Sequence, residues 1–547
     1  MAFFSGVFSQ TNTSEYVVLV QEGTLADVSW KKVVDKLVEK HQAMIVTYHQ
    51  MTSDGLPRLR EIKPRYVAVV EKPENVSRDF VVDLNRMSRE VDEDIYVDFL
   101  WGIITGIDAD AALRLVERAE TPKVLSSAWG IGDLGGLKDG KYFERMGLLN
   151  ESVVNGHRDQ EWVEKHSLVE AKDQPDLLSQ AIYWGENNNP DIVIWESQSF
   201  SELDRMLLQR GNKPEAYVTS RDGKLWWGEH ELRLQPNPRV CLFAMPYGNS
   251  WGRKEGLPMT WLDCENVGAL VSGMDYSNYD KGMLGTLQFW LTGAGRFSLA
   301  EAQFLNQQDL TYRLNQWDAS LLKKRFTYSE RWERSVLTFS LGEQEAKNAF
   351  LHGNSSALVA YYYMYERDVM VYYGDPAWEV TLKDQQGDRP YRISCKMKGK
   401  KCIVTIETTS TFSWERLHGD FQQYVNQVSL PISYFFPKRL KNPRLAEKQD
   451  YELNVVVDED GARSIAECVA ASIDFDVVSD KIAEKVKVPV PEIVLPEPET
   501  LDYEVLSDKV AEKVVVPQSE KTEIDYGTLS TEVAEKIAVP TFDILVD

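Results

Sequence analysis

The chain has 547 residues, with 85 acidic against 61 basic side chains and a formal charge of −24. That length exceeds a single hydrophobic core, so two to four domains are expected. The acidic balance argues against a nucleic-acid partner, whose phosphates demand clustered Lys and Arg. No apolar run approaches the roughly 18–20 residues that span a membrane, and the start, Met1-Ala-Phe-Phe-Ser-Gly6, lacks the features of an export signal, which reads as a cytoplasmic chain.

In chain order, Tyr16–Val20 reads as a buried strand, and Asp27 or Ser29 caps a helix that carries Val33, Leu37 and Val38 at helical spacing. Strands follow at Ala43–Tyr48 and Tyr66–Val70, with helices near Ser77–Val91 and Asp108–Ala119. Alternating strand and helix imply a parallel sheet covered on both faces. This first α/β unit is set at residues 1–150. Residues 151–172, with His157 and His166, read as a surface connection.

A second α/β unit, 151–334, opens with a helix near Asp176–Trp184. The apolar strand Asp191–Trp195 runs into Glu196-Ser-Gln-Ser-Phe200, and Ser201 is expected to cap a helix through Arg210. Leu225–Gly228 reads as a short strand or hairpin edge. The strand Val240–Ala244 runs into a tight Gly248-Asn249-Ser250 turn, Ala269–Gly273 is another strand, and helices are expected at Gly282–Leu291 and Leu299–Leu314. If the strands ending near Trp195 and Ala244 are neighbours, Gln198 and Ser250 meet in one crevice at their C-terminal ends.

From about Ser335 the chain turns to short β-rich runs, among them Val369–Tyr373, Trp378–Leu382, Tyr391–Ser394, Ile403–Glu407 and Tyr451–Val457. Residues 335–468 read as a β-sandwich. The five cysteines form neither a disulfide framework nor a zinc site. Cys241 is expected in the core, and Cys395 and Cys402 flank a hairpin turn where they could face each other. No phosphate loop and no His-Glu-x-x-His is present, so no cofactor and no metal is expected.

Residues 472–547 hold 18 acids and 7 bases and a threefold repeat. In each copy an aromatic and three apolar residues share one helical face: Phe475, Val478, Ile482 and Val486; Tyr503, Leu506, Val510 and Val514; Tyr526, Leu529, Val533 and Ile537. Each helix is about three turns long, too short to be stable alone in water. A protein partner, or self-assembly through these faces, is expected. A solvated, disordered acidic tail is the other reading.

The run through Gly248-Asn249-Ser250 resembles the nucleophile loop of gingipain-type cysteine peptidases of the caspase-like fold group, which reads Gly-Asn-Cys after an apolar strand. The Asp191 strand resembles the family's histidine strand. Further pieces are Trp101–Gly106, Gly295–Ala302, Asn306–Gln308 and Tyr373–Pro376. The resemblance spans roughly residues 15–465. It implies two caspase-like α/β subdomains with mainly parallel sheets, followed by an immunoglobulin-like module, which agrees with the β-rich region. By count, Gln198 stands where the family's His belongs and Ser250 where its Cys belongs.

Such a peptidase needs a thiolate and an imidazole that activates it and then protonates the leaving amine, with backbone N–H groups for the oxyanion. Gly248 and Asn249 preserve the turn. A serine hydroxyl needs a base, and a glutamine side chain cannot take a proton. Two residues could rescue it: Glu196 as a carboxylate base, or His230, twenty positions before Ser250 in Trp227–Glu231. The expectation is a catalytically inactive homologue acting as a binding or scaffold protein, with a peptide segment in the degenerate crevice. The alternatives are an active hydrolase using Ser250 with a relocated base, and a structural subunit of a filament or shell.

Overall fold

The structure is a computed structural model that describes residues 15–138, 140–154, 157–196, 199–200, 205–209, 216–246, 256–264, 266–274, 282–323, 363–364, 366–384, 391–399, 401–410, 433–436, 444–445 and 541–545. The chain divides into two compact units, Met1–Pro390 with Ser410–Ser433, and Tyr391–Thr409 with Tyr434–Asp547.

The first unit begins β1 Tyr16–Gln21, α1 Glu22–Ala26, α2 Val28–His41, β2 Met44–Tyr48, α3 Leu56–Ile62, β3 Tyr66–Val70, α4 Arg78–Met87, β4 Leu100–Ile104 and α5 Ala109–Arg118. The caps are those the sequence offers. Asp27 accepts the Ser29 N–H, Ser77 that of Phe80 and Asp108 that of Ala111, each satisfying a donor that the first helical turn leaves open. The chain continues through β5 Lys123–Leu125, β6 Ser127–Gly132, β7 Arg145–Val154, β8 His157–Lys165, α6 Leu177–Asn188 and β9 Ile192–Glu196. The short strands β10 Ser199–Phe200, β11 Arg205–Gln209, β12 Ala216–Arg221, β13 Lys224–Trp227 and β14 His230–Glu231 come next. Then follow β15 Arg239–Pro246, α7 Leu257–Cys264, β16 Val267–Gly273, α8 Met283–Thr292, α9 Leu299–Asp318, β17 Met370–Gly374 and β18 Val380–Leu382.

Eleven of these strands form one mixed, mostly parallel sheet in the order β2-β1-β3-β4-β17-β16-β15-β9-β6-β7-β8. Strands of both expected α/β units therefore lie in a single sheet. Each half has the same doubly wound order, β2-β1-β3-β4 on one side and β7-β6-β9-β15-β16 on the other. The central strands are buried along their length, Val17–Val20 and Val67–Val70 among them, which is why their sequences run apolar without alternation.

Three expectations change. Arg145–Val154 and His157–Lys165 pair as antiparallel strands β7 and β8 at the sheet edge, where a surface connection was expected from residue 151. Arg205–Gln209 is a strand, not part of a Ser201-capped helix, because it pairs antiparallel with β12; residues 201–204 lie outside the described residues. The run at Val369–Tyr373, expected in the sandwich, supplies β17 of the main sheet, antiparallel to β16 and touching β4 where Tyr373 lies opposite Ile103. Likewise β18 pairs with β5, in the α/β body.

In the second unit β19 Tyr391–Lys398, β20 Lys401–Thr408, β21 Arg444–Leu445 and β22 Thr541–Leu545 form one antiparallel sheet in the order β19-β20-β22-β21. The last strand comes from the end of the acidic tail, far from its neighbours in sequence. Cys395 lies opposite Val404 and Cys402 opposite Met397, so the two cysteines are not a cross-strand pair. The tail residues Phe475, Val478, Ile482, Val486, Tyr503, Leu506, Val510, Val514, Tyr526, Leu529, Val533 and Ile537 lie outside the described residues.

The exit of β17 is fixed by one buried carboxylate. Asp375 accepts from the Tyr16 hydroxyl at 2.8 Å and from the Lys40 ammonium at 2.8 Å, and His41 Nε2 lies 2.6 Å from the same carboxylate. The His41 ring stacks on Tyr16 with centroids 4.0 Å apart. Burial pushes the Asp375 carboxyl up, but the His41 hydrogen bond and the charges of Lys40 and His41 outweigh it and hold the group at about 2. Its ordinary value is 3.8, so the stabilisation is complete above that value and is lost as pH falls from about 4 through about 2. Asp375→Asn should cost about 3 kcal/mol at neutral pH, since it leaves the Lys40 ammonium without its carboxylate and disturbs the hydrogen bonds to Tyr16 and His41. Denaturant unfolding checks this, and the gap between variant and wild type should narrow as pH drops through that window.

Candidate functional site

The two strands singled out by sequence are neighbours. β9 and β15 run parallel and in register, Val240 opposite Ile192, Cys241 opposite Val193 and Ala244 opposite Glu196. The segments that follow them therefore leave the same edge of the sheet. One carries Gln198 and the other Gly248, Asn249 and Ser250; all four lie outside the described residues.

This edge is also the topological switch point of the second half, because β6 has β7 on one side and β9 on the other. In open α/β sheets such a point is where ligands usually bind, outside the carboxyl ends of the strands. Two features shape it. Gly132, the last residue of β6, has φ +133°, and a side chain on it would overlap the Glu196 carbonyl oxygen. The Glu196 carboxylate accepts the backbone N–H of Asp133, tying the end of β9 to the turn after β6. Beyond that turn, Leu134 N–H donates to the Asn150 side-chain oxygen at 3.0 Å. Glu196 thus serves the backbone that builds the rim.

Behind these strand ends lies a buried aromatic cluster. Trp195, next to Glu196, meets Trp129 edge-on at 5.1 Å and Trp261 at 5.0 Å, and Phe243 from β15 packs against Trp261 at 5.1 Å. All four rings are fully buried. Large rings locked edge to face leave the strand ends little freedom. Cys241 is buried in the same strand, as a core residue.

His230 belongs to the other end of β9. Its Nε2 lies 3.0 and 3.1 Å from the two carboxylate oxygens of Glu186, which also accepts the Arg233 N–H at 2.8 Å. Glu186 sits in the last turns of α6, the helix that leads into the start of β9. Ile192 at that end and Glu196 are four residue steps apart along β9, roughly 13 Å. His166 is exposed at the end of β8, and the side chain of His157 lies outside the described residues.

The first half of the sheet has an equivalent switch point between β1 and β3, and sequence reasoning did not anticipate what fills it. Glu71, fully buried just past β3, accepts from Thr24 Oγ1 at 2.7 Å, from Asn75 Nδ2 at 2.9 Å, from the Lys72 N–H at 2.7 Å and from the Tyr48 hydroxyl. Burial and then the Glu71 charge push the Tyr48 hydroxyl far above its usual range, which keeps it a donor. That carboxylate plugs the first switch point. Asp92, Asp94 and Asp98 bring carboxylates within 4.8 Å of one another, yet each accepts a local backbone N–H, from Asp94, Tyr96 and Val91, and so builds a turn.

No protein-family model matches the chain, and no curated protein matches it. Among solved structures it is similar to the complex of Porphyromonas gingivalis RgpB pro- and mature domains, at 9% identity and a TM-score of 0.35 over 72% of this chain and 86% of that one. It is also similar to the Arg-specific cysteine proteinase gingipain R, at 7% identity and a TM-score of 0.36 over 74% and 86%. A structure described as a protease gives 8% and 0.36 over 72% and 85%. Values this low fix no residue equivalence.

The rim geometry gives a direct test. Gly132→Ala should destabilise the protein by about 2 kcal/mol or more, because the left-handed backbone and the overlap with Glu196 act together. Gly223, also left-handed at φ +68° but with nothing within 4 Å, should cost only about 1 kcal/mol on the same change. Thermal unfolding of the two variants separates crowding from backbone preference.

Proposed function

We propose that this chain is a catalytically silent relative of the gingipain-type cysteine peptidases, acting as a binding or scaffold protein. One observation carries the reading. Two in-register parallel strands, β9 and β15, end side by side, and Gln198 and Ser250, which follow them in sequence, cannot play the parts of the family's His and Cys in amide hydrolysis. The glutamine amide has no accessible protonation, and the serine hydroxyl needs a base to become a nucleophile. The two rescue residues favour silence. Glu196 is hydrogen-bonded into the rim, and His230 is held by Glu186 at the opposite end of the strand. Buried aromatic rings and the Glu196–Asp133 bond hold the strand ends in place, which suits holding a peptide segment without cutting it.

The decisive experiment compares the unmodified chain with a Gln198→His, Ser250→Cys double variant on a mixed peptide library. The unmodified chain should cut nothing, and the double variant should gain cleavage that a thiol-alkylating reagent abolishes. Cleavage by the unmodified chain that disappears in Ser250→Ala would make it an enzyme and sink the reading.

The tail is the second part of the proposal. Its three repeated apolar faces would act as linked docking helices, for a partner or for copies of the chain, and linked weak contacts gain strength through effective concentration. Because Thr541–Leu545 pairs with β20, cutting the tail off whole would also damage the second unit. The cleaner test replaces one apolar residue per repeat, Ile482→Glu, Val510→Glu and Val533→Glu. Sedimentation should show the assembled species of the wild type reduced to monomer in the triple variant. An unchanged profile, together with unchanged partner capture, would leave the repeats without a docking role.

A further inference from the structure

Between the two strands that end at the crevice, the chain inserts the antiparallel sheet β10-β11-β12-β13-β14. One face is committed. Met206, Val218 and Leu225 are fully buried there, Ser220 bonds Thr260 of α7 at 2.7 Å, and the Trp261 indole donates to the Met206 sulfur at 3.2 Å. Strand alternation puts Arg205, Tyr217, Arg221, Lys224 and Trp226 on the other face.

That face is an ordered array of cations in a chain of charge −24. The Arg205 guanidinium carbon lies 5.5 Å from the Tyr217 ring centroid, and that of Arg221 lies 5.8 Å from the Trp226 centroid. The Trp226 indole N–H donates to the Arg221 carbonyl at 3.3 Å, which fixes the ring under its arginine. A guanidinium lying over a ring keeps its N–H edge toward solvent, where it can grip a carboxylate with two parallel bonds. The ring supplies part of the ordering that binding would otherwise have to impose. Among the described residues, Glu229 and Glu231 lie at the β14 side of this face. Glu231 is shared between Lys224 at 3.1 Å and Arg233 at 2.8 Å, and Glu229, 94% exposed, reaches Arg221 at 3.5 Å.

Spacing selects the ligand. Arg205 lies opposite Thr219, and Arg221 is two residues further along the same strand, so the arginines are diagonal neighbours, roughly 7–8 Å apart at Cα. An extended peptide repeats its same-side residues every ~6.6–7 Å. We propose that this face binds an extended acidic peptide, seating carboxylates from alternate residues on Arg205 and Arg221 with Lys224 beside them. A sugar would have to displace the guanidinium groups to reach the ring faces, so carboxylate recognition is the better match. The surface stands on its own residues and does not depend on whether the crevice is silent.

The test is a fluorescence-anisotropy titration of the full chain with a short labelled peptide in which glutamate alternates with serine. Binding is expected at low salt, weakening steeply as salt is added. The Arg205→Gln, Arg221→Gln double variant should bind about tenfold more weakly. A peptide of the same composition with its glutamates in one block should bind several-fold more weakly. Arg205→Lys keeps the charge but loses the planar fork; it should fall between wild type and the double variant, and it serves as the readout if the double variant misfolds. Equal binding by wild type and variants, no binding by wild type, or preference for a neutral oligosaccharide would each overturn the proposal.

Discussion

A single carboxylate that water cannot reach sets the geometry of the main sheet. Asp375 joins the first residue of β1, the last turn of α2 and the exit of β17, across a sequence separation of 359 residues from Tyr16. Burying an isolated carboxylate is costly, and here a hydroxyl, an ammonium and an imidazole together make burial tolerable. The consequence reaches beyond the cluster. β17 lies between β4 and β16, so among the described strands the two halves of the sheet are joined by one that arrives late in the chain. Closing so long a loop is entropically slow rather than prohibitive, and a buried ionic cluster at the exit makes the correct register of β17 the satisfied one.

Much of this architecture was legible in the sequence. β1, β2, β3, β9, β15 and β16 are short apolar runs bounded by turn residues, and the caps at Asp27, Ser77 and Asp108 mark where helices start. The scattered pieces that carried the family resemblance prove to be structural fastenings. Ser298 and Glu301 form a reciprocal capping box that starts α9. Asn306 donates to the Gly282 carbonyl, and Gln308 spans both backbone groups of Val97. Gly102 passes so close to the Gly374 carbonyl that no side chain fits, and Asp375 is the lock itself. Such residues mark a fold through its joints, which explains why they resemble a family while saying little about chemistry.

What was not legible follows from long-range pairing. Arg205-Met-Leu-Leu-Gln209 after a serine looks like a capped helix, and only the facing strand Ala216–Arg221 makes it a strand. The apolar run forming β17 announces a strand but not its sheet. His230 is close to Ser250 in sequence, yet chain distance says nothing about which end of a parallel strand a residue occupies. The hydrogen bonds to Glu186 decide that. The plugged switch point at Glu71 was equally invisible, because its donors come from α1, from the end of β2 and from the turn after β3, each unremarkable on its own.

The contrast between the two switch points bears on function. Identical strand orders create two openings at strand ends. In one, a buried glutamate recruits a hydroxyl, an amide, a backbone N–H and a phenol, and the space is consumed by the protein itself. In the other, the glutamate at the end of β9 accepts the Asp133 backbone N–H of the turn after β6, and the chain adds the strands β10 to β14 before β15 begins. An insertion placed between the two rim strands can extend the rim without disturbing the parallel core, because both its ends are anchored in that core. Buried tryptophans brace the ends of β6 and β9, and the inserted sheet displays stacked arginines on one face. Neither feature requires a reacting atom.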